Sequence, residues 1–159
     1  MTEPDWDNVP LIAGSGGVLT EEIRTSHSGR KALMLTRQGN PSEFLSLSKT
    51  MDIDIVEIIS QKGRSNPRLH FGKGRLEAIR DELRMAPESH PWFGIDLILV
   101  NANLTPRQLV NLTDLLQCET WDRVRLLLEL FTQHASSVEA RNQVRIARLN
   151  ADRNILREL

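Results

Sequence analysis

Four short apolar segments alternate with helix-like segments between Lys31 and Asp122. Their positions are 32–35, 53–59, 95–100 and 118–121. Each segment is too short to be a helix of its own, and the connections between them are too long for hairpin turns. The alternation therefore predicts an α/β fold with a small, mostly parallel sheet of about four strands and flanking helices.

Two of the intervening helices carry start signals in the sequence. Asn40–Glu43 is an Asx-Pro-x-Glu version of the capping box. Thr105 is predicted to cap a second helix, with Pro106 at its first position and Gln108 closing the box. Five of the seven residues at 53–59 are β-branched and apolar, too many for a strand with one buried face, which predicts a sheet covered on both faces.

The two ends of the chain differ from the central α/β subdomain, which spans residues 31–122. Residues 1–30 contain several Gly and Pro residues and no apolar period, which predicts a flexible N-terminal arm. Residues 123–159 have helical periodicity and predict a helical arm. The first helix of that arm is predicted to bury Leu126, Leu127, Leu130 and Phe131.

The last helix is predicted to start at a Ser136-Ser137-x-Glu139 signal and to have a wide apolar face. One exposed stripe on this face contains Val144, Ala151 and Ile155. Three alternatives stay open for it: docking on the α/β body, pairing with a second copy in a homodimer, or forming half of an antiparallel helical hairpin. Composition does not choose among them.

The formal net charge of −1 predicts no attraction of the whole protein to nucleic acid. The charge is uneven, because residues 1–30 carry 2 basic and 5 acidic side chains and residues 123–159 carry 7 and 4. The two segments therefore differ as −3 against +3. Any surface that binds phosphate is expected to be local and close to the C-terminal helices.

The lone cysteine, Cys118, excludes an internal disulfide and a cysteine zinc site. No apolar stretch reaches the length of a membrane helix, and the N-terminus lacks the basic and apolar regions of a signal peptide. These features predict a protein of the cytoplasm with no membrane span.

The sequence lacks the motifs of the common enzyme classes. It contains no GxxxxGK[ST] phosphate loop, no GxSxG elbow and no HExxH zinc motif. Its histidines, which are His27, His70, His90 and His134, are not at metal-ligand spacing. We therefore predict no catalytic residue and no metal site in this chain.

A candidate anion or nucleotide site consists of Gly72, Lys73, Gly74 and Arg75 at a predicted helix start. Free backbone N–H groups, the helix dipole and two cations can hold an anion there. A nucleotide-handling α/β enzyme is the functional alternative that this turn supports. The structural alternative is a tight strand-to-helix turn that the two glycines permit.

A candidate RNA-binding surface consists of His134, Arg141, Arg145 and Arg148. The three arginines recur at helical spacing and could face phosphates along one side of the last helix. A solvated helix face is the alternative. Asp122 and Arg123 likewise have two interpretations: a ligand pair at the carboxyl edge of the sheet, or a simple cap of the next helix.

Three motif segments follow one another along the chain: residues 66–77 with the Gly-Lys-Gly turn, residues 103–112 after the third strand, and residues 122–149. Together they resemble the N-terminal domain of the HflX-type ribosome-associated GTPases. The resemblance implies structural roles in the family motifs for Thr105, Pro106, Gln108, Asp122, Arg123, Phe131, Glu139 and Gln143. His134, Arg141 and Arg145 depart from the usual family residues, so the helix is less regular and more basic here.

The resemblance implies a ribosome-docking and regulatory domain of a GTPase involved in splitting or rescue of stressed ribosomes. Its expected partners are the large ribosomal subunit, its rRNA and the GTPase domain of the same protein. In the family the chain continues into a hairpin tip, a returning helix and a GTP-binding domain, none of which is in this sequence. GTP and Mg²⁺ would belong to that domain, so we expect no cofactor in this chain.

Overall fold

The computed structural model describes residues 27–37, 39–63, 65–134 and 138–158. It contains one sheet of β1 (Lys31–Thr36), β2 (Asp54–Ser60), β3 (Ile95–Val100) and β4 (Glu119–Trp121). The strand order is β2-β1-β3-β4, and each neighbouring pair is parallel. The predicted α/β fold with a small parallel sheet is therefore confirmed.

Five helices flank the sheet. They are α1 (Ser42–Thr50), α2 (Lys73–Met85), α3 (Pro106–Leu116), α4 (Arg123–His134) and α5 (Val138–Leu156). The capping box of α3 forms as predicted, because Thr105 Oγ1 accepts from Gln108 N–H and Gln108 Oε1 accepts from Thr105 N–H, both at 3.1 Å. The box predicted at α1 does not form: Asn40 Oδ1 accepts from Ser42 N–H at 3.0 Å, and the helix begins after Pro41.

Two apolar layers cover the sheet, one on each face. The first joins β1 and β3 to α2 and α3, and its most buried members are Leu33, Leu35, Ile98, Val100, Leu76 and Leu112. The second joins the alternate residues of the same strands to α1 and α4, and it contains Met34, Leu97, Leu99, Phe44, Trp121 and Leu126. The alternation follows from the pleat, which turns successive side chains to opposite faces.

The cover on both faces is complete for the central strands only. β2 is an edge strand, and Ile58 is exposed while Ile55 and Val56 are half-buried. The prediction that residues 53–59 are buried on both sides is therefore wrong for part of the strand. An edge strand has a neighbouring strand on one side only, so fewer side chains surround its residues than those of a central strand.

Both predicted domain boundaries shift in the structure. His27 and Arg30 are buried against the α/β body, so residues 27–30 belong to it rather than to a flexible arm. Residues 1–26 lie outside the described residues. Helix α4 packs on α1, β3 and β4 through Leu126, so it is also part of the body rather than the start of a separate arm.

The buried face of α4 differs from the predicted one. Leu126 is fully buried, but Leu127 and Phe131 are exposed, and Arg125 and Glu129 are buried instead. The reason is that this side of α4 faces ionic partners on α5 and at His27, which an apolar period does not reveal.

Helix α5 docks on the body by its C-terminal half. Ile155 is buried against Leu109 and Val110 of α3. The prediction that Ile155 belongs to an exposed stripe is therefore wrong. Val144 and Ala151 are half-buried. The exposed apolar residues of α5 are Ile146, Leu149 and Leu156. The predicted start of this helix at Ser136 and Ser137 lies outside the described residues.

None of the helices in the described part of the chain is long and apolar enough to cross a membrane.

Candidate functional site

The carboxyl edge of the sheet brings two of the sequence motifs into direct contact. Gln108 Nε2 donates to the carbonyl of Pro67 at 3.2 Å, and Asn111 Nδ2 donates to the carbonyl of Arg68 at 3.0 Å. The start of α3 therefore holds the loop that leads into α2. The motif segments 66–77 and 103–112, far apart in sequence, form one structural unit.

The predicted anion site at the start of α2 uses one of its donors internally. Gly72 N–H donates to Gln61 Oε1 at 2.8 Å, and a Cβ at Gly72 would lie 2.8 Å from Gln61 Nε2. A glycine at this position is therefore explained by the contact with Gln61. No such contact explains the glycine at Gly74, because nothing lies within 4 Å of the position that a Cβ would take there.

The cations of this turn are on the surface. Lys73 Nζ lies 3.9 Å from Glu77 Oε1, and both Lys73 and Arg75 are exposed. An exposed pair at this distance contributes little to stability. Binding of an anion or a nucleotide by Gly72–Arg75 stays a prediction, now with one backbone donor fewer than the sequence implied.

Asp122 caps α4 and ties it to the loop after β3. Its Oδ1 accepts from Arg125 N–H at 2.9 Å and its Oδ2 from Leu104 N–H at 3.1 Å. Burial raises the pKa of Asp122, against the opposing effect of these two N–H bonds. Of its two interpretations, the cap is the one that these bonds support.

Arg123 turns away from Asp122 toward a neighbouring strand end. Its Nε donates to Asn101 Oδ1 at 3.0 Å, and Asn101 Nδ2 in turn lies 3.3 Å from Thr36 Oγ1. This chain of bonds links the ends of β1, β3 and β4. Asp122 and Arg123 therefore stabilise the edge separately, each through a different partner.

An open cavity of about 410 Å³ lies at the same edge, beside the ends of β1 and β2. It is lined by Thr36, Arg37, Gly39, Ser60 and Lys62. None of these residues was predicted as a site. The signal in the sequence was the change from apolar to polar residues where each strand ends, because open α/β sheets bind ligands at that edge.

The candidate RNA-binding residues do not share one surface. His134 and Arg141 are exposed, and Arg145 is half-buried, with Nη1 donating to Asn142 Oδ1 at 3.4 Å. Arg148 is only 5% exposed, and its Nη2 donates to Glu129 Oε1 at 2.8 Å. The prediction that Arg148 faces solvent with Arg141 and Arg145 is wrong, because its charge is used inside the protein.

Glu129 is the centre of a buried ionic network between α4 and α5. Its Oε1 lies 2.8 Å from Arg148 Nη2 and 3.7 Å from Arg125 Nη1, and Arg125 Nη2 lies 2.8 Å from Asp152 Oδ1. His27 Nε2 lies 3.0 Å from the other carboxylate oxygen. Burial opposes the charge of Glu129, but the His27 bond and the two arginines hold its pKa below the ordinary value.

The network continues through His27 to a second set of charges. Arg30 Nη1 lies 3.1 Å from His27 Nδ1, while Arg30 also contacts Asp96 at 3.1 Å and Glu119 at 2.8 Å. A guanidinium can only donate, so His27 Nδ1 accepts and Nε2–H donates to Glu129.

The remaining motif residues are on the surface. Phe131 is 55% exposed, and Glu139 and Gln143 are exposed on α5. Phe131 is not a member of the buried clusters among the described residues, and its structural role in the family motif stays a prediction. Among those residues there is also no group of three or more His, Cys, Asp or Glu side chains that could hold a metal ion.

Comparisons with known proteins match this fold and these motifs. The family model described as GTP-binding GTPase N-terminal matches residues 39–132. A GTPase HflX from Caldanaerobacter subterraneus is 36% identical over 109 residues, which are 68% of this chain and 24% of that protein. GTPase HflX of Escherichia coli is 28% identical over 108 residues, which are 67% of this chain and 24% of the relative. The chain thus spans about a quarter of the length of these relatives.

A solved structure shares the fold. It is the GTP-binding protein from the hyperthermophilic archaeon Sulfolobus solfataricus in complex with GDP, with a TM-score of 0.66 and 24% identity. The match covers 81% of this chain and 39% of that chain. The family match over most of the α/β body, together with the HflX relatives, identifies the chain as a member of the GTP-binding GTPase N-terminal family, the N-terminal domain of HflX proteins.

Proposed function

We propose that this domain docks an HflX-like GTPase on the large ribosomal subunit and regulates it during the splitting or rescue of stressed ribosomes. The observation that carries the proposal is the family match over residues 39–132, together with relatives named GTPase HflX. GTP and Mg²⁺ would be bound by a GTPase domain elsewhere in the whole protein. This domain would supply a binding surface rather than catalytic residues.

The distribution of charge on α5 supports a local contact with rRNA. The buried network uses Arg148 and Asp152, so neither contributes to the outer surface. The remaining charged residues of the helix are Glu139, Arg141, Arg145 and Arg153. Outside the buried network the helix therefore carries three positive groups and one negative group, although the whole chain is close to neutral. A local basic surface attracts phosphate even when net charge does not.

Co-sedimentation with purified large ribosomal subunits tests the proposal. We expect the chain to pellet at low salt, with an association constant that falls between about 50 and 200 mM salt. Each phosphate contact contributes about −0.7 to −0.9 to the slope of log K against log salt. A double variant, Arg141→Gln with Arg145→Gln, should weaken binding. It should also reduce the magnitude of this slope by the contribution of about two phosphate contacts.

The matched control removes two exposed arginines from other helices, α2 and α3. Arg84 in α2 and Arg107 in α3 are both exposed, so Arg84→Gln with Arg107→Gln changes net charge equally. We expect this control to bind like the unmodified chain. Pelleting that does not depend on salt, or an equal loss in both double variants, would contradict docking through α5.

A further inference from the structure

Arg37 differs from the other buried arginines of the described chain in its ionic partners. Arg30 contacts Asp96 and Glu119, and the two arginines of the α4–α5 network contact carboxylates as well. Arg37 is only 9% exposed, and it contacts no carboxylate of the described residues. Buried charges in proteins are normally paired, so this guanidinium is missing an anion within the part of the chain that the structure covers.

The two terminal nitrogens of Arg37 differ in their hydrogen bonds. Its Nη2 donates to the carbonyl of Gly63, which fixes the side chain at the end of β1. Its Nη1 is buried and has no hydrogen-bond partner among the described residues. An unmade hydrogen bond of a buried charged group is costly, so an acceptor at Nη1 would stabilise the folded state.

The cavity beside Arg37 supplies further donors for the same acceptor. Lys62 adds a second cation, and Thr36 and Ser60, which are paired in the β1–β2 register, add two hydroxyl groups. Thr36 Oγ1 accepts from Asn101 Nδ2, so its own hydrogen can be donated to a ligand. None of the five described residues that line this cavity is acidic.

We propose that this cavity is a binding site for a phosphate group, held by Arg37, Lys62 and the hydroxyls of Thr36 and Ser60. Two cations match a phosphate monoester, which carries about −1.5 to −2 charges at pH 7. The several acceptor oxygens of a phosphate suit donors that converge from different strands, and arginine binds such groups through more than one N–H.

The position in the sheet agrees with this assignment. The order β2-β1-β3-β4 means that the chain leaves β1 first toward β2 and later returns to its other side as β3. The topological switch point therefore lies between β1 and β3, and the cavity lies on the other side of β1, at the same carboxyl edge where open α/β sheets bind ligands. This site is separate from the turn at Gly72–Arg75, and the proposal does not depend on ribosome docking.

His70 provides a reporter for the charge of Arg37. Burial lowers the pKa of His70, and the positive charge of Arg37 lowers it further. An anion bound to Arg37 would offset that second effect, so the pKa of His70 should rise on binding. A purely structural role for Arg37 would leave the histidine titration unchanged by phosphate.

The test is a titration of the 159-residue chain with inorganic phosphate, followed by NMR, with sodium chloride at matched ionic strength as the reference. We expect saturable shifts of the amide signals of Thr36, Ser60 and Lys62 and a raised pKa of His70. In Lys62→Gln the dissociation constant should rise about tenfold or more, since a charge-assisted bond is lost. Lys49→Gln is the matched control, because Lys49 is exposed in the last turn of α1.

Arg37→Gln should abolish the saturable binding of phosphate. If this buried substitution prevents folding, Lys62→Gln provides the decisive comparison. Two further ligands then distinguish the source of the phosphate. Binding of ribose 5-phosphate identifies a small phosphate ester, and binding of a single-stranded RNA oligonucleotide alone identifies a backbone phosphate; both support the site. No saturable change with millimolar phosphate, or an equal loss in Lys62→Gln and Lys49→Gln, would overturn it.

Discussion

Arg148 of α5 donates to Glu129 of α4 across 2.8 Å, and Glu129 is only 1% exposed. This buried pair joins the last helix to the α/β body. The same carboxylate accepts from His27, which precedes the first strand, so one residue connects three distant parts of the chain. The network thereby sets which side of α5 faces outward and which of its arginines reach solvent.

Removal of the central carboxylate should destabilise the protein strongly. In Glu129→Gln, Arg148 loses its carboxylate partner and Arg125 keeps only Asp152. Breaking a buried pair by removing one partner costs about 3–5 kcal/mol, because the other charge stays buried. Urea denaturation followed by circular dichroism measures the free energy of unfolding. Glu88→Gln, at an exposed position, is the control and should change it by less than about 0.5 kcal/mol.

The same carboxylate predicts a loss of stability in acid. The folded-state pKa of Glu129 lies below its ordinary value of 4.5, so its ionised form is favoured by folding. This contribution is complete above the unfolded-state pKa and is lost as the pH falls through the folded-state pKa. Unfolding free energies of the unmodified chain and Glu129→Gln should therefore converge as the pH falls below about 4. A difference that stays constant down to pH 3 would be evidence against this linkage.

The two glycines of the Gly-Lys-Gly turn should respond differently to alanine. Gly74→Ala places a methyl group in open space within α2 and should raise the unfolding free energy by about 0.4–1 kcal/mol. Gly72→Ala places its Cβ 2.8 Å from Gln61 Nε2, so Gln61 must move. The bond from Gly72 N–H would then weaken, with a loss of about 0.5–1.5 kcal/mol. Thermal unfolding of the two variants compares them directly, and equal effects would argue against the Gln61 contact.

Cys118 should be unreactive in the folded protein. Burial raises the pKa of its thiol to about 12, and the carboxylates of Asp96 and Glu119 raise it as well. At pH 8 about one thiol in ten thousand would be ionised, and the thiolate is the reactive form. A disulfide reagent such as dithiobisnitrobenzoate should therefore react slowly with the native chain and quickly in guanidinium chloride. Comparable rates in both states would show that the thiol is accessible.

Local signals in the sequence predict the elements and their order. Alternating strand and helix signals predicted the parallel sheet, and Thr105 with Gln108 predicted the start of α3, because periodicity and capping act over a few neighbouring residues. The start of α1 was less well predicted, since Asn40 bonds Ser42 N–H locally without completing a box. Three ordered motifs were enough for the resemblance that the family match confirms.

The partners of the buried charges, in contrast, depend on how the helices and strands pack. Arg148 has the helical spacing of a surface arginine, yet it is buried on Glu129, and Arg37 follows a strand without any motif of its own. His27 and Glu129 are 102 positions apart in sequence, and no local pattern relates them. The energy of a buried charge depends on which groups the fold brings within a few ångströms, so the ionic network and the candidate phosphate site emerge only when the helices have packed.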